Sequence, residues 1–170
     1  NAVFFDEVRG GQDSLVGDLN QGWSYGTTAL DFERVALGVT GGLRRLYDEL
    51  VRHVEITDDV RRTLAELAAD IELARLLSYR AAWMVDQGMV LSAEASMTKV
   101  VTTELQARAA GIALDLLGDE ATVATSEDPV ALAQFLYRQA PYLRFGGGTN
   151  EVQRDIIAQR GLGLGRASTR

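Results

Sequence analysis

Leu143-Arg144-Phe145-Gly146-Gly147-Gly148-Thr149-Asn150-Glu151-Val152-Gln153-Arg154 is the stretch on which the reading of the fold turns. Three consecutive glycines let a backbone bend sharply and approach a ligand closely, and the helix expected after them offers unpaired N–H groups and a positive dipole end. Asn150 or Thr149 can serve as N-cap, and Gln153 lies three residues after Asn150, close to a capping-box arrangement. Alone, such a segment is more often a turn than a phosphate or cofactor contact, so the surrounding chain has to decide.

Outward from this turn the pattern is helical. Asp128-Pro129 reads as N-cap and first helical position of a helix that runs through Ala140 and stops at Pro141. Residues 119–126 are polar and loop-like. Before them, Ser92 can cap a helix carrying Met97, Val101, Leu105, Ile112 and Leu116 on one side and ending at Gly118. Thr57-Asp58-Asp59 supplies an N-cap and acidic first turn for a helix with the stripe Val60, Leu64, Leu67, Ile71, Ala74, running to about Asp86. From Trp23 to about His53, Leu30, Val35, Leu37, Leu43, Leu46 and Leu50 fall at helical spacing on one broad face. Gly38, Gly41 and Gly42 each cost about 1 kcal/mol against alanine there, which points to close packing. The last helix begins after Gly148 and frays near Gly161. Trp23 and the Trp83-Met84 pair are expected in the core, Arg44-Arg45 and Arg61-Arg62 on solvated faces or at subunit contacts, and His53 exposed at a helix end.

Long antiparallel helices with short links make an all-α, up-down bundle. Residues 1–20 read as strand and loop around Gly10, Gly11 and Gly17, and Asn1-Ala2-Val3-Phe4-Phe5-Asp6-Glu7-Val8 looks extended with no second strand to pair with. The chain is therefore expected to be the tail of something longer, divided into residues 1–20, a helical domain over 21–162, and a flexible tail over 163–170.

Composition narrows the function. The 170 residues are 46% hydrophobic and 24% charged, ordinary for one packed domain, and the net charge of -7 argues against a nucleic-acid surface. Lys99 is the sole lysine, His53 the sole histidine, and there are no cysteines, which removes thiolate metal sites, most transition-metal sites and any Ser-His-Asp triad. No apolar run approaches the roughly 20 residues of a membrane span. A cytoplasmic protein is the expectation.

Several stretches together resemble the C-terminal part of the acyl-CoA dehydrogenases: Asn1 through Arg9, Leu15-Val16-Gly17 with Gln21-Gly22-Trp23, Leu30-Asp31-Phe32-Glu33-Arg34, Arg80-Ala81-Ala82-Trp83, Leu136-Tyr137-Arg138 and Gly148-Thr149-Asn150-Glu151-Val152-Gln153-Arg154. The resemblance implies the family's helical bundle, preceded by a remnant strand of its middle β-domain. It also implies FAD, shared with that missing domain, and a reaction in which a glutamate removes the α-proton of an acyl-CoA as hydride passes to the flavin, giving a trans-2-enoyl-CoA. In most members the base immediately precedes the Gly-Thr pair, where this chain has Gly147. The isovaleryl-type layout places it on the first long helix instead, at the position of Glu33. By the same resemblance Asp31, Phe32, Arg34 and Gly148 would lie against substrate, and Thr149, Asn150 and Glu151 would contact FAD. Without the resemblance, Glu33 reads as a solvated or salt-bridged glutamate beside Arg34.

Two family motifs are missing. An Arg-x-x-Phe-Gly loop is replaced by Arg52-His53-Val54-Glu55-Ile56-Thr57, and a Gln-x-x-Gly-Gly-x-Gly turn by Asp115-Leu116-Leu117-Gly118-Asp119-Glu120. Both normally reach across a dimer to the neighbour's FAD, and Asp119 and Glu120 would repel a pyrophosphate. The resemblance thus implies an oligomer, homomeric or with a paralogous subunit that donates the missing contacts, as in actinobacterial enzymes acting on steroid side-chain CoA esters. An electron-transfer flavoprotein or similar acceptor would reoxidise the flavin. The isolated chain is expected to be inactive, and a catalytically degenerate subunit kept for assembly is the alternative.

Overall fold

The computed structural model describes residues 2–36, 40–123 and 129–165, with every side chain among them except those of 31, 32, 34–36 and 120. Six α-helices run through the described residues: α1 (Gly22–Ala36), α2 (Thr40–His53), α3 (Asp58–Asp86), α4 (Ala93–Leu117), α5 (Val130–Phe145) and α6 (Asn150–Ile156). Short 3-10 turns stand at Gln12–Ser14 and Asp119–Thr122, and α6 loosens into a π-turn, Ile157–Gly161. The all-helical reading holds. Leu37, Gly38, Asp128 and the side chain of Val35, all named from the sequence, lie outside what is described.

The sequence signals set α3 most directly. Thr57 is its N-cap, with its hydroxyl accepting from Val60 N–H at 3.3 Å, and Asp58 and Asp59 stand in the first turn where the helix dipole favours negative charge. Leu64, Leu67, Ile71 and Ala74 are buried and meet Leu43, Leu46 and Leu50 of α2 in the main core. The close packing expected at the α2 glycines is not seen: an added Cβ would meet nothing within 4 Å at Gly41 and only Leu136, at an ordinary contact distance of 3.7 Å, at Gly42.

Helix α4 is the axle of the molecule, touching α1, α2, α3, α5 and α6. The single apolar stripe expected on it is therefore wrong: Leu105 is buried, while Met97, Val101, Ile112 and Leu116 are only half-buried. Surrounded on most sides, α4 buries small residues that admit its neighbours, Ala95, Ala109, Ala110 and Ala113, together with Ser96, Thr98, Lys99, Thr102, Thr103 and Gln106. The threonines satisfy themselves within the helix: the Thr98, Thr102 and Thr103 hydroxyls donate to the carbonyls of Glu94, Thr98 and Lys99 at 2.9, 2.7 and 2.9 Å.

Other expectations are corrected. Ser92 caps α4 with its backbone only, and its hydroxyl instead accepts from Arg160 at 3.1 Å. Trp83 is 55% exposed and Trp23 86% exposed. On α3 the helical period turns Ala81 and Met84 inward and leaves Trp83 on the neighbouring face. Pro141 does not end α5, which continues to Phe145. Its ring lies on the exposed side while Ala140 and Leu143 on either side of it stay buried, so packing offsets the one lost N–H bond. The remnant strand is not formed: residues 2–11 carry no strand, because the described residues hold no second strand to pair with. His53 is exposed at the end of α2, as expected, with its Nδ1 2.8 Å from the Glu49 carbonyl.

Leu46 is fully buried where α2 meets the main core. Its replacement by alanine is expected to lower unfolding free energy by about 2–5 kcal/mol, read from urea denaturation followed by circular dichroism.

Candidate functional site

The glycine turn joins α5 to α6. Gly146 closes α5 with its N–H on the Tyr142 carbonyl at 2.9 Å, and Gly147 and Gly148 then follow with φ of +67° and +98°, a region that side-chain-bearing residues rarely occupy. An added Cβ on Gly148 would stand 2.7 Å from Gln153 Nε2. Thr149 is the N-cap of α6, its hydroxyl accepting from Val152 N–H at 3.3 Å.

The capping-box expectation for Gln153 is corrected, because that side chain is fully buried and reaches back under the turn. Its Nε2 donates to the Gly147 carbonyl at 3.0 Å, and its Oε1 accepts from the Ser96 hydroxyl of α4 at 2.8 Å. One helical turn further along α4, Lys99 is also fully buried. Its ammonium donates to the Arg144 carbonyl at 2.8 Å, the Gly148 carbonyl at 3.0 Å and Asn150 Oδ1 at 2.6 Å. Asn150, 1% exposed, spends the rest of its amide on Thr103 Oγ1 at 3.1 Å and Glu104 Oε1 at 3.3 Å. Glu104 is in turn held by Arg154 of α6 at 2.5 Å.

Reading the sequence alone missed this network. Its signal was present: a lone lysine amid arginines, and a run of hydroxyl residues, Ser96, Thr98, Thr102 and Thr103, at helix positions where an apolar stripe was expected.

The residues named from the sequence are distributed unevenly. Gly148, Thr149, Asn150 and Glu151 come together at the turn, with the Asn150 side chain directed inward and Glu151 exposed. Glu33 is on α1, exposed, and makes no ion pair among the described residues. Asp31 and Arg34 have side chains outside the description, as does Phe32. Helices α1 and α6 both seat on α4, which carries Lys99, Ser96 and Thr103. The described residues hold no cluster able to ligate a metal ion and no helix long and apolar enough to cross a membrane.

At the two departures, α2 passes to α3 through the short link of residues 54–57, and α4 ends at Gly118, φ +71°, before the 3-10 turn beginning at exposed Asp119.

A helical bundle with this turn defines a known class. Residues 20–162 match the family model described as acyl-CoA dehydrogenase, C-terminal domain, and the chain belongs to that family. Acyl-CoA dehydrogenase FadE29 of Mycobacterium tuberculosis is 34% identical over 98% of this chain and 46% of its own length. A structure described as the Tcur3481-Tcur3483 steroid ACAD G363A variant superposes with a TM-score of 0.89 at 31% identity, over 96% of this chain and 46% of the other. The ChsE4-ChsE5 complex from Mycobacterium tuberculosis superposes with a TM-score of 0.77 at 32% identity, over 89% and 43%. The chain spans about half the length of the curated relatives it matches.

Gly148→Ala is expected to destabilise the domain by about 1–3 kcal/mol, because it forces a side chain into a left-handed conformation and against a bonded amide. Thermal or urea unfolding would show it, with Gly41→Ala, whose Cβ would meet nothing within 4 Å, as control. The Glu151 carboxyl is held below the usual carboxylate range by its own backbone N–H and then by the Thr149 side chain. A depressed folded-state pKa contributes stability above the unfolded value, lost as pH falls through the folded one. NMR titration should find Glu151 ionising at lower pH than an ordinary glutamate, and Thr149→Val should move it upward.

Proposed function

We propose that the chain is the catalytic helical domain of a flavin-dependent acyl-CoA dehydrogenase, with Glu33 as the α-proton acceptor. Two observations support this reading: the turn carries no side chain at residue 147, and Glu33 on α1 is exposed and engaged by no described residue. A carboxylate tied up in an ion pair would be a poor base; one awaiting burial by substrate gains basicity as water leaves.

The residues at the turn fit a flavin in a specific way. The Gly147 and Gly148 carbonyls are consumed from below by Gln153 and Lys99, leaving an outer edge of backbone free of side chains at residues 146–148. Thr149 and Glu151 stand at that edge, whereas Asn150 can contribute only its main chain because its amide is spent inside. FAD, when bound, supplies the hydride acceptor. The chain's part is to take the α-proton on the Glu33 carboxylate, to line the acyl-CoA with Asp31, Phe32, Arg34 and Gly148, and to leave room for a bulky acyl group above the glycines. Resemblance to a steroid acyl-CoA dehydrogenase favours a steroid side-chain CoA ester as that group.

The short 54–57 link and acidic Asp119 are poorly suited to receive a neighbour's flavin, which favours assembly with a paralogous subunit; two of the similar structures are named as two-component proteins. An electron-transfer flavoprotein or similar carrier is the expected acceptor. A cytoplasmic setting fits the lack of cysteine.

Glu33→Gln in the full-length protein is expected to lower kcat by about 10²–10⁴-fold with flavin content unchanged. Wild-type turnover in that variant would instead make this chain a non-catalytic assembly subunit. The full-length protein should co-purify with a second dehydrogenase-like subunit at half the flavin complement of a homomer, and a pure homomer saturated with FAD would contradict the heteromeric arrangement.

A further inference from the structure

We propose that Lys99 is the positioning residue of the ligand-facing turn: anchored in α4, its ammonium sets where residues 146–151 stand relative to the rest of the site. The inference rests on the function proposed above only in taking that turn to face ligand. Lysine offers three N–H donors and no acceptor. Here they go to the last turn of α5 at the Arg144 carbonyl, to the glycine turn at the Gly148 carbonyl, and to the first residue of α6 at Asn150 Oδ1. A single buried atom thereby joins three consecutive pieces of chain to one point on the central helix. Ser96 and Thr103 of the same helix supply flanking ties, Ser96 through Gln153 to the Gly147 carbonyl and Thr103 directly to Asn150.

The charge matters as well as the geometry. Two glycines at positive φ have no side chains with which to hold themselves, and a flexible turn at that point would lose conformational definition on every opening. Bonds to an ionised donor are about twice as strong as neutral ones, and a buried ammonium deprived of its acceptors is expensive, so the turn and the lysine hold each other in place. Arginine is not equivalent, since its planar fork does not converge three donors on one point.

The test uses the full-length protein together with whatever subunit purifies with it. Lys99→Met keeps an unbranched, flexible stem one atom shorter than lysine's and removes all three donors. Amide hydrogen exchange is expected to quicken at least about tenfold in peptides covering residues 144–153 and to stay unchanged in α3. The kcat for an acyl-CoA should fall about 10²-fold with KM little altered, and the visible flavin band should shift. Thr103→Val, a milder cut in the same network, should move all three readouts the same way by less, and it decides the question if Lys99→Met does not fold. Exchange at the turn unchanged in both variants would overturn the proposal. So would faster exchange accompanied by wild-type kcat and flavin spectrum, which would leave Lys99 a purely structural residue. A wild-type protein without flavin or turnover would sink the function proposed above, while faster exchange confined to the turn would still support the tie itself.

Discussion

A fully buried ammonium ion is the constraint around which this bundle is built. Removing a charge from water costs several kcal/mol unless good acceptors replace the water, and Lys99 has them in the carbonyls of Arg144 and Gly148 and the amide oxygen of Asn150. The same need explains why α4 carries a polar interior. Ser96, Thr103 and Glu104 complete the hydrogen bonding of Gln153 and Asn150, and among the described residues no buried side-chain nitrogen or oxygen lacks a partner. A partly satisfied network would be worse than an apolar core, so the set stands or falls together.

Rigidity at the turn follows from this arrangement, and the proposed chemistry depends on it. Glycines 146–148 supply space and close approach but no positional definition of their own. That definition comes from α4, on which α1 and α6 also rest, so the helix bearing Glu33 and the turn are referenced to one scaffold. Glu33 is exposed and the turn residues 146–149 are half-buried in a chain that covers less than half the length of its relatives.

Most of the fold was legible because local signals and burial agree. Thr57 with Asp58 and Asp59 starts α3 where expected, and the Leu64 to Ala74 stripe is the buried one. The misreadings share a cause, which is that neighbours decide. Pro141 stays helical because Ala140 and Leu143 are packed on either side of it. Trp83 is left outside because Ala81 and Met84 already fill the inner face. Gln153 abandons the capping geometry for carbonyls that only the folded turn brings within reach. The site was half legible: the glycine turn announced itself, while Lys99, separated from Arg144 and Asn150 by more than forty residues, gave no local sign of its partners.

The proposed paralogue-dependent assembly and the proposed placement of the base both rest on three features of this chain: no side chain at residue 147, a short 54–57 link after α2, and an acidic Asp119 after α4. The most direct measurement is a structure of the full-length protein with FAD and a non-reactive acyl-CoA analogue. A Glu33 carboxylate oxygen is expected about 3–3.5 Å from the α-carbon, with the acyl chain running over Gly147 and Gly148. An analogue whose α-carbon meets a different carboxylate, with Glu33 left in solvent, would contradict it.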